Sequence, residues 1–232
     1  MNYVIADIHN DKHRFREMLK KLDLKAEDRV FLLGDLFDRG VYCPDPVGVY
    51  FATLELGDRC TVIAGNHDRW LARYILNYYE LPTRKRKMAK PYRYNTFELL
   101  KDRLTEVDMM KLGKWIMSLP LQQEVCVEGK RFLLAHAMTS DPADLRDDVH
   151  YYMGDDWDEY LENGVSGYIS ISGHAYGADM SRYGGEFLDA GFASVWQNGK
   201  KNVYMIDSGC GYSEGRLACL CLETMERIYV SY

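Results

Sequence analysis

Five apolar runs in this 232-residue chain each end shortly before a side chain that can bind a divalent metal. The runs lie at residues 3–6, 30–33, 61–64, 132–135 and 169–172. Short runs of this kind predict buried β-strands. In an open α/β sheet, groups at the carboxyl ends of neighbouring strands converge on one crevice, even when they are far apart in sequence. The sequence therefore predicts an α/β protein with one polar site at its strand ends.

The candidate metal ligands are the polar side chains that follow these runs. They are two aspartates, one asparagine and three histidines: Asp7, His9, Asp35, Asn66, His136 and His174. Such a mixture of oxygen and nitrogen donors suits a pair of transition metals such as manganese, iron or zinc. Asp7 and His9 are two residues apart, so they point to the same side and are expected to bind the first metal. Asn66, His136 and His174 would complete the second metal site, and the carboxylate of Asp35 is expected to bridge the two ions.

Residues beside these ligands suit the hydrolysis of a phosphoester. Two metals about 3.5 to 4 Å apart can hold a hydroxide and clamp a phosphoryl group. His67 directly follows Asn66 and is predicted to donate the proton to the leaving alkoxide, with Asp38 fixing its tautomer. Arg39 offers a planar fork for two phosphate oxygens. The sequence therefore predicts a two-metal phosphoester hydrolase.

Structural explanations exist for each of these residues alone. A single histidine at a strand end is more often structural than a ligand, and an aspartate there often caps the next helix. Four of the six histidines follow the apolar runs, however. Capping explains neither these paired histidines nor Arg39, so metal binding is the favoured interpretation. His13 and His150 fit no such position and are predicted to lie on the surface.

Composition places the chain among ordinary globular enzymes, with 47% hydrophobic and 28% charged residues. A formal net charge of −6 argues against nucleic acid as the main partner, because such proteins need a cationic surface. Residues 1–30 lack the pattern of a signal peptide, and no apolar run is long enough to span a bilayer. A cytoplasmic protein without a membrane partner is expected. The six cysteines include no C-x-x-C pair and are predicted to be reduced, with Cys43 the candidate for a redox-sensitive surface thiol.

The order of patterns along the chain predicts a single domain over residues 1–232. Helical spacing of Phe15, Met18, Leu19 and Leu22 predicts a first amphipathic helix. A second helix is expected to begin near Pro46 and to run through Val47, Tyr50, Phe51 and Leu54. Residues at about 68–119 are predicted to form a mainly helical insertion beside the site. Its basic stretch, residues 84–93, is interpreted as solvated helix-end charge rather than as a docking patch for an acidic partner.

The second half of the chain is rich in predicted strands. Glu128 and Gly129 predict a hairpin turn, and Asn198 with Gly199 predicts another between residues 192–196 and 203–206. Two more strands are expected at residues 217–222 and 227–230. Early α/β alternation followed by strands predicts two packed sheets flanked by helices.

Five sequence blocks, taken together, resemble the ordered signature of the phosphoprotein phosphatase (PPP) branch of the calcineurin-like metallophosphoesterases. They are residues 7–9 (DIH), 34–40 (GDLFDRG), 65–68 (GNHD), 134–137 (LAHA) and 172–174 (SGH). Residues 206–211 and 215–217 resemble the closing strands of that family. The resemblance implies a four-layer α-β-β-α sandwich of two mixed sheets, and two divalent metal ions that are often manganese.

The resemblance further implies a serine/threonine protein phosphatase that acts by direct attack of a dimetal-bound hydroxide on a phosphorylated protein or a small phosphoester. Hydrolysis of dinucleoside polyphosphates is the enzymatic alternative, because related enzymes share the same metal blocks. A non-catalytic phospho-ligand-binding module is the alternative from another class. The sequence leaves the physiological substrate, the native metal and the oligomeric state open.

One departure from the family pattern concerns phosphate binding. The family usually places a second phosphate-binding arginine in an aromatic block between the last two histidine ligands. The corresponding residues 153–157 (MGDDW) contain no arginine. Arg146 and Arg182 each lie near a candidate ligand in sequence, and either is a candidate to replace it.

Overall fold

The computed structural model describes residues 1–146, 148–154 and 157–232. Eleven strands are found within these residues: β1 (Asn2–Ile5), β2 (Arg29–Leu32), β3 (Cys60–Val62), β4 (Gln122–Val127), β5 (Lys130–Ala135), β6 (Ile169–Ser172), β7 (Gly185–Phe187), β8 (Trp196–Asn198), β9 (Val203–Met205), β10 (Leu217–Cys221) and β11 (Arg227–Val230). The same residues form eight α-helices: α1 (Lys12–Leu22), α2 (Pro46–Glu55), α3 (Asn66–Glu80), α4 (Thr83–Arg86), α5 (Thr96–Lys101), α6 (Glu106–Ser118), α7 (Asp158–Asn163) and α8 (Gly177–Met180).

The strands form two mixed sheets. The first has the order β11-β10-β1-β2-β3, in which β1, β2 and β3 are parallel. The second has the order β4-β5-β6-β9-β8-β7, in which β5, β6 and β9 are parallel. The five predicted apolar runs correspond to β1, β2, β3, β5 and β6. Because neighbouring parallel strands end at the same edge of a sheet, the polar residues that follow them are brought together, as the sequence predicts.

Three hydrophobic clusters define the layers of the fold. Side chains from both sheets, including Val4, Phe31 and Phe132, pack in a cluster between the sheets. The outer face of the first sheet packs on α1, α2, α3 and α6 through residues such as Phe15 and Ile75. The outer face of the second sheet is covered by Tyr160 and Leu161 of α7 and by Trp157, the residue before that helix. The predicted four-layer α-β-β-α sandwich is confirmed.

Helix α2 begins at the predicted residue but buries a different face. Val47, Val49 and Ala52 are buried, whereas Phe51 and Leu54 are 47% and 46% exposed. The helix is apolar on nearly every side, so periodicity alone does not select its buried face. Helix α1, by contrast, buries Phe15, Met18 and Leu22 as predicted, while Leu19 is partly buried.

The hairpin at Asn198 has shorter strands and a longer turn than the sequence predicts. Residues 192–195 lie outside β8, and Phe192 is exposed. The side-chain oxygen of Asn198 accepts hydrogen bonds from the amides of Asn202 and Val203. This side chain therefore closes a loop over residues 199–202 in place of a two-residue turn.

The predicted helical insertion contains α3, α4, α5 and α6, and its two long helices α3 and α6 pack together. The assignment of the chain to a single domain stays a prediction. All six cysteines lie in the described residues and are free thiols. Among these residues, each helix is too short or too polar to span a bilayer.

Candidate metal centre

The backbone turns sharply where three of the five ligand-bearing strands, β1, β2 and β6, end. Non-glycine residues take positive φ angles at Asp7 (56°), His9 (51°), Asp35 (49°) and His174 (67°). Such angles are uncommon for residues with a Cβ, and each costs on the order of 1–3 kcal/mol. Backbone strain is therefore concentrated at the candidate ligands, where it turns the side chains towards one point beyond the sheets.

Asp35 lies between two groups of donors. Its Oδ2 is 3.8 Å from Nε2 of His9, and its Oδ1 is 3.5 Å from Nε2 of His136. Asp7, His9 and Asp35 form one set whose ligand atoms lie within 4.8 Å of one another. Asp35, His136 and His174 form a second set of the same size. The carboxylate shared by both sets is the one that the sequence predicts to bridge two metals.

Asn66 joins the second set of donors. Its Oδ1 lies 2.8 Å from Nε2 of His136 and 3.0 Å from Nδ1 of His174. These two histidine nitrogens are themselves 3.0 Å apart. Ligands that bind one ion at about 2.1 Å and near right angles lie roughly 3 Å from one another. The three donors are therefore spaced as ligands of a single ion.

Backbone carbonyls orient the histidine rings. Nδ1 of His136 lies 2.7 Å from the carbonyl oxygen of Leu33, and Nδ1 of His9 lies 3.1 Å from that of Phe37. With a proton on each Nδ1 donated to the carbonyl, the lone pair of each Nε2 is directed towards the site. Burial lowers the pKa of His9 to about 3 and that of His174 to about 3, and it lowers the pKa of His136 as well. Neutral imidazole is the form that binds metals.

The acidic side chains of the site suit a bound cation. Asp7 Oδ2 accepts a hydrogen bond of 2.9 Å from the amide of His174, whereas its buried Oδ1 has no hydrogen-bond partner among the described residues. Burial, and the nearby carboxylates of Asp207 and Asp35, raise the pKa of Asp7. Buried carboxylates this close together are costly unless a positive charge compensates them. The donor set and the unsatisfied oxygen therefore fit divalent metal ions.

The predicted proton donor lies beside these ligands. Nδ1 of His67 is 3.1 Å from Oδ2 of Asp38, and both side chains are buried. The hydroxyl of Tyr92 donates to the same Asp38 oxygen at 2.6 Å. His67 Nε2 lies 4.0 Å from Oδ2 of Asp35. The imidazole is thus held with its second nitrogen towards the candidate metal ligands.

Arg39 places a positive charge at the same site. Its Nη1 lies 3.2 Å from Nε2 of His9, and its guanidinium carbon lies 5.1 Å above the ring of Tyr212. The planar fork is therefore close enough to the ligands to hold a phosphate that reaches them.

Three further residues of the site were not among the predicted site residues. Asp68 accepts hydrogen bonds from the amides of Gly65, Leu36 and Phe37, and so ties two ligand-bearing loops together. Burial raises the pKa of Asp68 to about 8. Asp207 comes shortly after the apolar strand β9, just as the candidate ligands follow the five apolar runs. This pattern in the sequence could have identified it. Tyr92 lies in the insertion, where no pattern marks it.

The two arginines proposed to bind phosphate lie in different places. Arg182 borders a small cleft of about 190 Å³ together with His174 and Trp157. Arg146 lies over the ring of Tyr151, at 4.3 Å, and borders another cleft. Of the block that lacks an arginine, Asp155 and Asp156 lie outside the described residues.

Comparisons with known proteins agree on one family. The chain matches the family model described as calcineurin-like phosphoesterase over residues 3–202. A Vibrio cholerae protein named bis(5'-nucleosyl)-tetraphosphatase, symmetrical, is 27% identical over 145 residues, covering 62% of this chain and 46% of that protein. Proteins of the same name are 31% identical over 150 residues in Edwardsiella ictaluri (61% and 45% covered) and 37% identical over 67 residues in Nitrosomonas europaea (28% and 24% covered). The matched stretch thus spans less than half the length of these relatives.

Solved structures share the fold at low sequence identity. A protein provisionally called a diadenosine tetraphosphatase has a TM-score of 0.64 and 18% identity, with 100% of this chain and 93% of that chain covered. A protein serine/threonine phosphatase from Saccharomyces cerevisiae has a TM-score of 0.59 and 13% identity, with 100% and 79% covered. Likeness at these identities shows a common fold.

Proposed function

Because the chain belongs to the calcineurin-like phosphoesterase family, we propose that it is a two-metal hydrolase of dinucleoside polyphosphates. The observation that carries the two-metal part is the position of Asp35, which two sets of donors share. The substrate is proposed from the names of the three curated relatives above, which are symmetrical bis(5'-nucleosyl)-tetraphosphatases. The serine/threonine phosphatase expected from the sequence has less support, since the yeast phosphatase resembles the chain in fold alone.

Asp7, His9 and Asp35 would hold the first ion, and Asp35 with Asn66, His136 and His174 would hold the second. The carboxylate, amide and imidazole ligands suit manganese, iron or zinc, and manganese is our proposal. When bound, such a pair of ions supplies an activated water and neutralises charge on the phosphoryl oxygens.

The protein's own residues supply the other requirements of the reaction. Arg39 holds two oxygens of the phosphate chain beside the ligands. Water loses one proton to the solvent as its oxygen adds to a central phosphorus atom. The bond from that phosphorus to the bridging oxygen breaks, and His67 gives the bridging oxygen a proton that it then regains from the solvent. Cleavage at the centre of a dinucleoside tetraphosphate then yields two nucleoside diphosphates. Asp38 keeps the His67 ring oriented throughout.

A panel of substrates tests this proposal. Purified protein with added Mn²⁺ would be assayed on diadenosine tetraphosphate, a phosphoserine peptide and a simple aryl phosphate. We expect kcat/KM for diadenosine tetraphosphate to exceed that for the peptide by at least about tenfold, which is about 1.4 kcal/mol of transition-state binding. Nucleoside diphosphate should be the only nucleotide product, and Asp35→Asn should be inactive.

Two other outcomes of the panel would contradict the proposed function. A higher kcat/KM for the phosphopeptide would return the protein to the serine/threonine phosphatase class. Binding of phosphorylated ligands without turnover in metal-loaded protein would support the non-catalytic module.

A further inference from the structure

Two pairs of aromatic residues flank the candidate metal centre. In the first pair, the rings of Trp70 and Tyr94 lie 4.8 and 5.1 Å from the ring of His67. Trp70 is three residues beyond His67 on α3, so both face the same side of the helix. The Trp70 side chain is nevertheless 41% exposed. A large ring that borders a polar site and stays in water is available to a ligand.

The second pair consists of Tyr212 and Tyr176. Their rings stack at 5.4 Å with an interplanar angle of 29°, and Tyr212 is 43% exposed. Gly209 permits this arrangement, because a Cβ at that position would lie 2.5 Å from the Tyr176 ring. A Cβ at Gly211 would lie 2.7 Å from the ring of His9, so this loop lies directly on a candidate ligand.

A continuous row of contacts joins the two pairs across the metal centre. The rings of His67 and His9 are 5.2 Å apart, and Nε2 of His9 lies 3.2 Å from Nη1 of Arg39. The guanidinium of Arg39 in turn lies over Tyr212. Among the described residues, no ring contact joins Trp70 or Tyr94 directly to the second pair. The two pairs therefore lie at the two ends of this row, with His67, the candidate ligand His9 and Arg39 between them.

Charge at both ends, and space at the Tyr176 end, suit a nucleotide. Arg93 lies over Tyr94 at 5.3 Å, as Arg39 lies over Tyr212, so a cation accompanies each pair. Tyr176 also borders an open cavity of about 430 Å³ lined by Phe192 and Arg216, a volume that accommodates a nucleoside. In the same insertion as Trp70, by contrast, residues such as Tyr74 and Tyr78 pack against Phe97 in the core.

We propose that Trp70 with Tyr94, and Tyr212 with Tyr176, form two base-stacking subsites that each hold one nucleobase of a dinucleoside polyphosphate. This inference rests on the proposed function. The phosphate chain lies across the metal ligands and Arg39, and the two bases stack on the exposed rings at either end. Stacking accepts any base, so the subsites select for two nucleosides rather than for a particular nucleobase.

The test compares a substrate that has bases with an inhibitor that has none. Base stacking is worth about 1–3 kcal/mol per base, so Trp70→Ala and Tyr212→Ala should each raise KM for diadenosine tetraphosphate roughly 5- to 150-fold. The inhibition constant of inorganic tetraphosphate, which carries only the phosphates, should change less than about twofold. Trp70→Phe and Tyr212→Phe keep a ring and should stay close to wild type. Phe51→Ala removes an equally exposed ring from α2 and is the matched control.

The outcomes separate this inference from the function on which it rests. If the wild-type protein does not hydrolyse diadenosine tetraphosphate, the proposed function is wrong and the subsites fall with it. If it does, an unchanged KM in both alanine variants rejects the subsites alone. Equal rises in KM and in the inhibition constant would also reject them, because the rings would then act by holding His67 and Arg39. Circular dichroism melting of each variant verifies that it folds.

Discussion

Oδ2 of Asp38 lies 3.1 Å from Nδ1 of His67, and these two buried side chains come from a loop and from the first turn of α3, 29 residues apart in sequence. Because Nδ1 is engaged by the carboxylate, Nε2 is the nitrogen available to the substrate. Tyr92 adds a third member, since its hydroxyl donates to the same Asp38 oxygen. The three residues form a hydrogen-bond network in which Tyr92 orients Asp38 and Asp38 orients His67.

The hydrogen bonds that link Tyr92, Asp38 and His67 predict a graded loss of activity. His67→Gln should lower kcat for diadenosine tetraphosphate by about 10²-fold or more, as expected for a lost general acid. Asp38→Asn should cost less and Tyr92→Phe less again, because both act through His67. The variant carrying both His67→Gln and Asp38→Asn should be no slower than His67→Gln alone. Steady-state kinetics would test this order, and additive losses would contradict it.

Replacing the shared carboxylate should affect both metal sites. Asp35→Asn keeps the side-chain shape but removes the negative charge that both donor sets use. We expect elemental analysis after gel filtration to find two metals per wild-type chain and fewer than one in the variant. Asp58→Asn changes an exposed aspartate and should keep both ions. Full metal content in Asp35→Asn would contradict the bridging role.

A glycine beside Asp7 tests the geometry of the first site. A Cβ at Gly173 would lie 2.1 Å from Oδ2 of Asp7, so Gly173→Ala must displace that carboxylate. We expect loss of the first ion and a destabilisation of about 1–3 kcal/mol, which is typical of overpacking. A Cβ at Gly184 would meet no atom of the described residues within 4 Å, so Gly184→Ala is the matched control. Metal content and urea unfolding measure both effects, and equal behaviour of the two variants would refute the prediction.

The second phosphate-binding arginine is predicted to be Arg182. It borders a cleft with the candidate ligand His174, whereas Arg146 borders a different cleft. Arg182→Ala should therefore lower kcat/KM about tenfold, in the range of a lost charge-assisted hydrogen bond, while Arg146→Ala leaves it within about twofold. Kinetics on the same substrate decide between them. Unchanged activity in both variants would mean that neither arginine binds phosphate.

Asp45 is predicted to stabilise the fold in a pH-dependent way. Its Oδ1 accepts a hydrogen bond from the amide of Gly48 and caps α2, and it pairs with Lys12 and Arg103. Burial opposes ionisation, but the Gly48 hydrogen bond and the two cations lower the pKa of Asp45 below its ordinary 3.8. Asp45→Ala should cost about 0.5–2 kcal/mol at pH 7, the usual cost of a lost cap.

Asp45→Asn keeps the cap and removes the charge, so it isolates the ionic part. Since the folded pKa lies below the unfolded one, the ionic contribution is present above pH 3.8 and is lost as the pH falls below it. The difference in unfolding free energy between wild type and Asp45→Asn should therefore shrink between pH 5 and pH 3. Urea unfolding at each pH measures it, and a difference that grows in acid would contradict the assignment.

The sequence by itself determined the layers of the fold and the set of residues that meet at its strand ends. Apolar runs select the strands because they must be buried. Parallel strands then bring Asp7 and Asp35 to one edge of the first sheet and His136 and His174 to one edge of the second, whatever lies between them in the chain. The helix over residues 12–22 is equally determined, since one of its faces is apolar and the other is not.

Only the tertiary structure decided the contacts that periodicity does not encode. Helix α2 is apolar all round, so its packing against the rest of the fold determines that Val49 is buried and Phe51 is exposed. The Tyr92 hydroxyl donates to Asp38, which is 54 residues away in sequence, and the Tyr212 ring lies beneath Arg39. Both contacts arise because separate loops lie side by side above the site. A local sequence pattern indicates which residues must be buried together. The residues that an irregular loop contacts depend instead on the tertiary structure of the whole chain.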